Sequence, residues 1–188
     1  MSKSKKLVYI SEDLINEAME AARSEGKSLG VFVEDSLRLT LSAKEMGYDT
    51  REASKILGAV HANRILGGAF VPLDVFNHLI RVAYRSGSKR LKERWYKSGL
   101  LHGKYLKDKF EDPIEAFKSF LETSRWDLGE VEVREDGETV RLRCFSTVLT
   151  KEGTETLLKY IEGALNSMGY RTVKSEYLRG IIILEFKH

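Results

Sequence analysis

Four histidines, one cysteine and a dense run of cations are the residues of this chain whose chemistry reaches beyond packing. The histidines are His61, His78, His102 and His188, and none shares metal-ligand spacing with another or with Cys144. His102 stands between Gly99 and Gly103, a setting that suits a pocket wall or a haem ligand; a core or surface imidazole is the commoner alternative. Cys144 follows Val140 and Leu142 at alternate positions and reads as a buried, inert thiol. Glu130, Glu132 and Glu135 fall in a strand and hairpin pattern, where solvated carboxylates belong, and Trp95 and Trp126 suit a core or a pocket wall. No nucleophile elbow, phosphate loop or zinc-protease motif occurs. The residues thus predict no catalytic constellation, no metal site and no cofactor, and the expected function is not enzymatic.

The cations are concentrated. From Arg81 to Lys109 there are ten basic residues against Glu93 and Asp108, a local charge of +8. The whole chain is +3, so everything else sums to −5. Such a segment either contacts nucleic acid or another anionic ligand, or is a solvated helix face.

A chain of 188 residues, 42% apolar and 31% charged, holds one globular domain or two small ones. No window is apolar over the roughly 18 residues of a membrane span, and no secretory signal is evident. A single cysteine fits a reducing compartment, so the cytoplasm is the expected location, with no membrane partner.

Lys5 to Ser11 alternates as a short strand, with Lys6, Val8 and Ile10 on one side and Lys5, Leu7 and Tyr9 on the other. Ser11 stands at an N-cap position, with Glu12 and Asp13 in the first turn of a helix ending near Glu25. Leu14, Ala18, Ala21 and Ala22 form its apolar stripe, flanked by Ile15 and Met19, and Gly26 closes it. Ser28 caps a second helix reaching about Met46. So short a unit cannot bury its apolar faces alone, and a lone strand has two open edges; pairing with the same strand of a second copy answers both. This order resembles the ribbon-helix-helix repressor superfamily of Arc and MetJ, over Lys5 to Leu41. The resemblance implies an obligate dimer whose ribbon enters the major groove. It places Lys5, Leu7 and Tyr9 at the base-reading positions and the N–H groups from Ser28 to Gly30 on a phosphate. Leu7 departs from the pattern, which favours a long polar residue there. Residues 3–46 also carry eight acidic side chains against seven basic, although Lys3, Lys5 and Lys6 gather at the ribbon.

Beyond a connector at Tyr48 to Thr50, helices are predicted over Arg51 to Leu66, from Pro72 to a break at Ser86-Gly87, from Lys89 to Phe110, and from Asp112-Pro113. Tyr96-x2-Gly99-x3-Gly103 sets two glycines on one helix face, where either a second backbone or a ligand comes close. The period then changes to two. A hairpin on an Asp136-Gly137 turn, a helix capped by Thr150, and a second hairpin turning at Arg179-Gly180 complete the chain. The fold class expected is α+β, with an antiparallel sheet of hairpins. Tyr96-x2-Gly99-x3-Gly103-x2-Leu106, with Gly163-x5-Gly169-Tyr170-x2-Val173-x2-Glu176-x3-Gly180-x5-Phe186, resembles the vinyl-4-reductase-like domain related to haem-NO-binding sensors and TRAPP subunits. That resemblance implies a small apolar or acyl-like ligand, with Tyr96, Gly99, His102 and Gly103 at its pocket, and dimerisation. The paired cysteines of metal-binding members are missing from the last hairpin.

The expected organisation is therefore a ribbon-helix-helix over residues 1–48 and an α+β sensing or dimerisation domain over 49–188. The expected function is a homodimeric DNA-binding transcriptional regulator, with higher assembly left open. The alternative is a ligand-binding or scaffold protein whose ribbon only dimerises.

Overall fold

The computed structural model describes residues 7–125 and 127–188, and these divide between two compact units, Met1–Ser54 and Lys55–His188. Lys3, Lys5, Lys6 and Trp126 lie outside the described residues. The division falls within a helix, a few residues beyond the connector at Tyr48 to Thr50 where the sequence suggests it.

In the first unit, α1 (Glu12–Ser24) and α2 (Leu29–Glu45) form an antiparallel-type helical hairpin turned at Gly26, whose positive φ of 66° suits glycine. Ser28 caps α2 by accepting a hydrogen bond from the Val31 N–H at 3.4 Å; Ser11 precedes α1 without a side-chain cap bond. The predicted strand is corrected over the residues described: Leu7 to Ser11 form none, and this unit is helical. A strand needs a ladder partner, and one copy of the chain offers none here. Among its described residues only Ala22 and Ala43 are buried. Leu14, placed by its spacing on the inner stripe of α1, is 57% exposed, together with Val31, Leu37, Leu39 and Leu41.

The second unit is organised around a helix. From α3 (Thr50–Ile65) the chain passes to α4 (Leu73–Lys109), α5 (Pro113–Ser124), β1 (Glu130–Asp136), β2 (Thr139–Phe145), α6 (Lys151–Met168), β3 (Arg171–Leu178) and β4 (Ile181–Lys187). The four strands form one antiparallel sheet in the order β1-β2-β4-β3. Consecutive hairpins thus meet through β2 and β4, with Leu142 opposite Leu184 and Cys144 opposite Ile182. The first hairpin turns at Gly137-Glu138, one residue later than expected, because Asp136 already pairs with Thr139. Its positive-φ position is Gly137, and Gly180 supplies the same conformation in the second hairpin.

Strand alternation sends Val140, Leu142 and Cys144 of β2, and Ile182, Leu184 and Phe186 of β4, into the core. Leu157, Leu158, Ile161, Leu165 and Met168 of α6 join them in one cluster, which Ile114, Phe117 and Leu121 of α5 extend. Helix α6 is buried nearly all round, because α4 packs against it as well. Thr150 caps it through the Gly153 N–H at 3.0 Å, and Gly169 ends it in the left-handed conformation.

The two helices predicted on either side of Ser86-Gly87 are the two arms of α4, which is kinked at Gly87, where the backbone is non-helical. One carboxylate holds both sides of that interruption. Glu155 of α6 accepts from the Tyr84 hydroxyl at 2.7 Å and from Lys92 Nζ at 3.2 Å. Burial pushes its carboxyl upward, but the bonds from Tyr84, Tyr177 and Lys92 outweigh that and hold it below its ordinary value of 4.5.

The approach of α4 to α6 depends on three glycines. A Cβ at Gly99 would land on the Tyr160 carbonyl, one at Gly103 on the Ala164 carbonyl, and one at Gly163 on the Tyr96 carbonyl. Gly99→Ala and Gly163→Ala are each expected to destabilise the protein by about 1–3 kcal/mol or more, since backbone must move. Gly58→Ala, inside α3 with open space at its Cβ, is expected to be neutral or to stabilise by up to about 1 kcal/mol. Urea unfolding of the three variants separates these outcomes; equal midpoints would contradict the close-packed helix pair.

Candidate ligand cavity

Beside the α4–α6 contact, the second unit encloses a half-open cavity of about 710 Å³. Leu66, Val71 and Leu73 form part of its wall before and at the start of α4, and Phe76, Trp95 and Leu101 follow along that helix. Phe120 of α5 and Tyr160 of α6 complete the apolar wall. The volume suits a small organic molecule, and the lining is that of a site which buries an apolar body and orients it with few polar groups.

His102 is the polar group set deepest. It is 1% exposed, with its ring edge-on to Phe120 at 4.1 Å between centroids and to Phe117 at 5.9 Å. Its Nδ1 is hydrogen-bonded to the Tyr160 hydroxyl, and its Nε2 has no partner. Burial pushes the imidazole pKa down to about 4, so the ring is neutral at physiological pH. Burial also raises the Tyr160 phenol, which keeps its proton. Among the described residues Tyr160 has no other polar partner, and only the tautomer in which its hydroxyl donates to Nδ1 satisfies the phenol's proton. The single ring proton then sits on Nε2, an N–H on the cavity wall that requires an acceptor. An unmet buried donor costs roughly 1–3 kcal/mol, which a carbonyl, carboxylate or hydroxyl oxygen would recover. Ser124, also on the wall, has an unpartnered buried hydroxyl oxygen.

The polar end of the cavity is built by Arg125 and Asp127. Arg125 donates to both carboxylate oxygens of Asp127, at 2.8 and 2.6 Å, with both side chains largely buried. Ser146 donates to the Asp127 carbonyl and accepts from the Leu149 N–H at 3.1 Å, which ties this loop to the start of α6. Cys144 is buried nearby, and burial pushes its thiol up to about 12, so it stays protonated.

Of the four pocket residues inferred from sequence, only His102 lies on the cavity wall. Gly99 and Gly103 instead face the α6 backbone, the other of the two uses open to paired helix glycines. Tyr96 accepts from Asn166 Nδ2 at 3.1 Å and pins α4 to the end of α6. Arg125, Asp127 and Ser124 carry no spacing signal in the sequence, and the helical spacing of Phe76 and Phe120 does not separate a cavity wall from an ordinary core position. Among the DNA-contact residues, Leu7 and Tyr9 are highly exposed, Ser28 is engaged as the α2 cap, and Gly30 lies in the first turn of α2 with open space around it. Lys5 is outside the described residues. No group of three or more His, Cys, Asp or Glu placed to hold a metal occurs among the described residues, and none of their helices is long and apolar enough to cross a membrane.

The sequence matches no protein-family model and no curated protein.

The depressed His102 pKa carries a pH signature. The unfolded chain takes up a proton near the ordinary value of 6.5 and the folded one only near 4, so this contribution to stability is complete above pH 6.5 and is lost as pH falls toward 4. It is worth at most about 3 kcal/mol across that window. His102→Gln, which still offers Tyr160 an acceptor, is expected to flatten the pH dependence of the urea midpoint between pH 6.5 and 4.5. An NMR-titrated His102 pKa above 6 would contradict a desolvated imidazole.

Proposed function

We propose that this protein is a homodimeric DNA-binding transcriptional regulator whose second unit holds a small, largely apolar molecule in the cavity beside His102. The observation that carries the reading is the missing core of the first unit. With only Ala22 and Ala43 buried among its described residues, α1 and α2 lack the apolar burial that holds a helical pair together. Covering that surface with a second copy is the economical solution, and a ribbon formed by the two lysine-rich N-terminal segments completes it. The paired ribbon then presents Lys5, Leu7 and Tyr9 outward, with the start of α2 at Ser28 to Gly30 on a phosphate.

In this mechanism the ligand presents an acceptor to His102 Nε2 and seats its apolar body between Phe76, Trp95, Leu101 and Phe120. It alters DNA affinity only by binding one state of the dimer better than another. A second reading, in which the ribbon dimerises without touching DNA, draws on Leu7: an apolar side chain at an outward position suits a surface covered by protein as well as a thymine methyl.

Fluorescence anisotropy with random-sequence duplex DNA, titrated with salt, tests the proposal. The full-length protein is expected to bind at low salt and to weaken by about 0.9 in log K per log unit of salt for each phosphate neutralised. Lys5→Ala/Tyr9→Ala is expected to lose most of that binding while sedimenting as a dimer. A wild-type protein that dimerises but binds no duplex at low salt would leave the second reading in place.

A further inference from the structure

We infer that the solvent-facing side of α4 is a second contact for the phosphate backbone of duplex DNA, formed by Arg90, Arg94, Lys97 and Lys104. The inference takes its partner from the DNA-binding reading above and adds a surface in the second unit that the ribbon does not supply. At 3.6 residues per turn these four positions fall within an arc of about 80° on one side of the helix. Gly99, Gly103 and Leu106 occupy the opposite side, which is packed against α6. All four cations are exposed and spread along about 21 Å of helix axis.

The stripe combines alignment on one exposed side of a helix with charge that no carboxylate neutralises among the described residues. Several other cations of the second unit are matched with carboxylates, among them Lys118 with Glu115, Lys159 with Glu162, Arg141 with Glu185, and Arg134 and Arg143 with Glu132. Helix α4 adds further cations without an ion pair among the described residues at Arg81, Arg85, Lys89, Lys107 and Lys109. Lys92, on the flank of α4, is matched with Glu155. Among the described residues Arg90, Arg94, Lys97 and Lys104 make no ion pair, although Glu93 and Asp108 stand on the same helix. Like charges at i,i+4 and i,i+3, as in Arg90–Arg94–Lys97, destabilise a helix slightly. The helix dipole does not offset this, because it acts within the last turn and these three residues lie well before Lys109. A polyanion running along the stripe would offset it, and duplex DNA carries one charge per roughly 1.7 Å of its axis.

The same surface is poorly made for a membrane. An interfacial helix buries an apolar face in lipid. Between Lys89 and Lys109, Leu101 is the exposed large apolar side chain, while the apolar side of α4 already faces α6. Long cations on a rigid helix, with no aromatic anchor among them, suit phosphates better than a protein hot spot.

The test uses the full chain carrying Arg90→Gln, Arg94→Gln, Lys97→Gln and Lys104→Gln together, with circular dichroism confirming the fold, beside Lys5→Ala/Tyr9→Ala. Anisotropy is read on random-sequence duplex across a salt series. The expected result is a slope of log K against log salt reduced by about 3 to 4 in the stripe variant, nearly one for each cation removed. An unchanged slope and affinity there, with loss only in the ribbon variant, would overturn the inference and leave the ribbon intact. Loss only in the stripe variant would support the inference and remove the ribbon from DNA contact. Wild type that binds phosphatidylserine-containing vesicles but no duplex, or that binds neither, would overturn it as well.

Discussion

The close approach of α4 to α6 is the constraint on which the second unit depends. Gly99, Gly103 and Gly163 let two backbones meet where any side chain would collide with a carbonyl. That contact presses the buried faces of the helices together, and it brings His102 of α4 within hydrogen-bonding reach of Tyr160 of α6. It also leaves α6 between α4 and the sheet, which explains why so many of its residues are buried, including Thr154, Thr156 and Glu162. These polar groups are admissible there because each has a partner: Thr154 accepts from the Gly180 N–H, Thr156 donates to the Gly153 carbonyl, and Glu162 accepts from Ser175.

Against those satisfied polar groups of α6, the unpartnered His102 Nε2 stands out on α4. Its imidazole is locked at one end by Tyr160 and packed by Phe117 and Phe120, so the ring cannot turn to find another acceptor. Asn63, Ser98 and Ser124 are the other uncharged polar side chains of the cavity wall, and the Arg125–Asp127 pair at its polar end neutralises its own charges. A molecule with an apolar body and one accepting oxygen matches this arrangement. An anion would have to compete with Asp127 for Arg125, and a cation would meet a neutral imidazole.

The two units differ in how they reach stability. Residues from 55 onward bury a continuous core of aromatic and branched side chains from sheet and helices. The first unit, among its described residues, buries two alanines, half-buries Ile15, Met19, Phe32 and Val33, and exposes Leu14, Val31, Leu37, Leu39 and Leu41. A surface of that kind is either covered by another molecule or unstable in water. The proposed self-association of the N-terminal segment rests on this asymmetry rather than on any single side chain.

Local chemistry made much of the secondary structure legible in the sequence alone. The Ser28 and Thr150 caps, the left-handed turns at Gly26 and Gly169, and the alternation of Val140, Leu142 and Cys144 are set by interactions between near neighbours, so spacing along the chain reveals them. The described residues bear out the α+β class and the antiparallel sheet of hairpins. Over the described residues 7–11 the N-terminal strand is not formed, because a ladder is a property of two strands and this segment has no partner strand in the single chain. The cavity was the least legible part. Gly99 and Gly103 announced a close approach, but whether a ligand or a backbone comes close depends on Gly163, some sixty positions away. The same holds for Arg125, Asp127 and Phe120, which meet His102 only after α5 and α6 are packed. Sequence determined the elements because capping, turn geometry and side-chain periodicity act over a few residues. Tertiary structure decided the site because burial, desolvation and hydrogen-bond satisfaction are set by neighbours that the chain order does not place together.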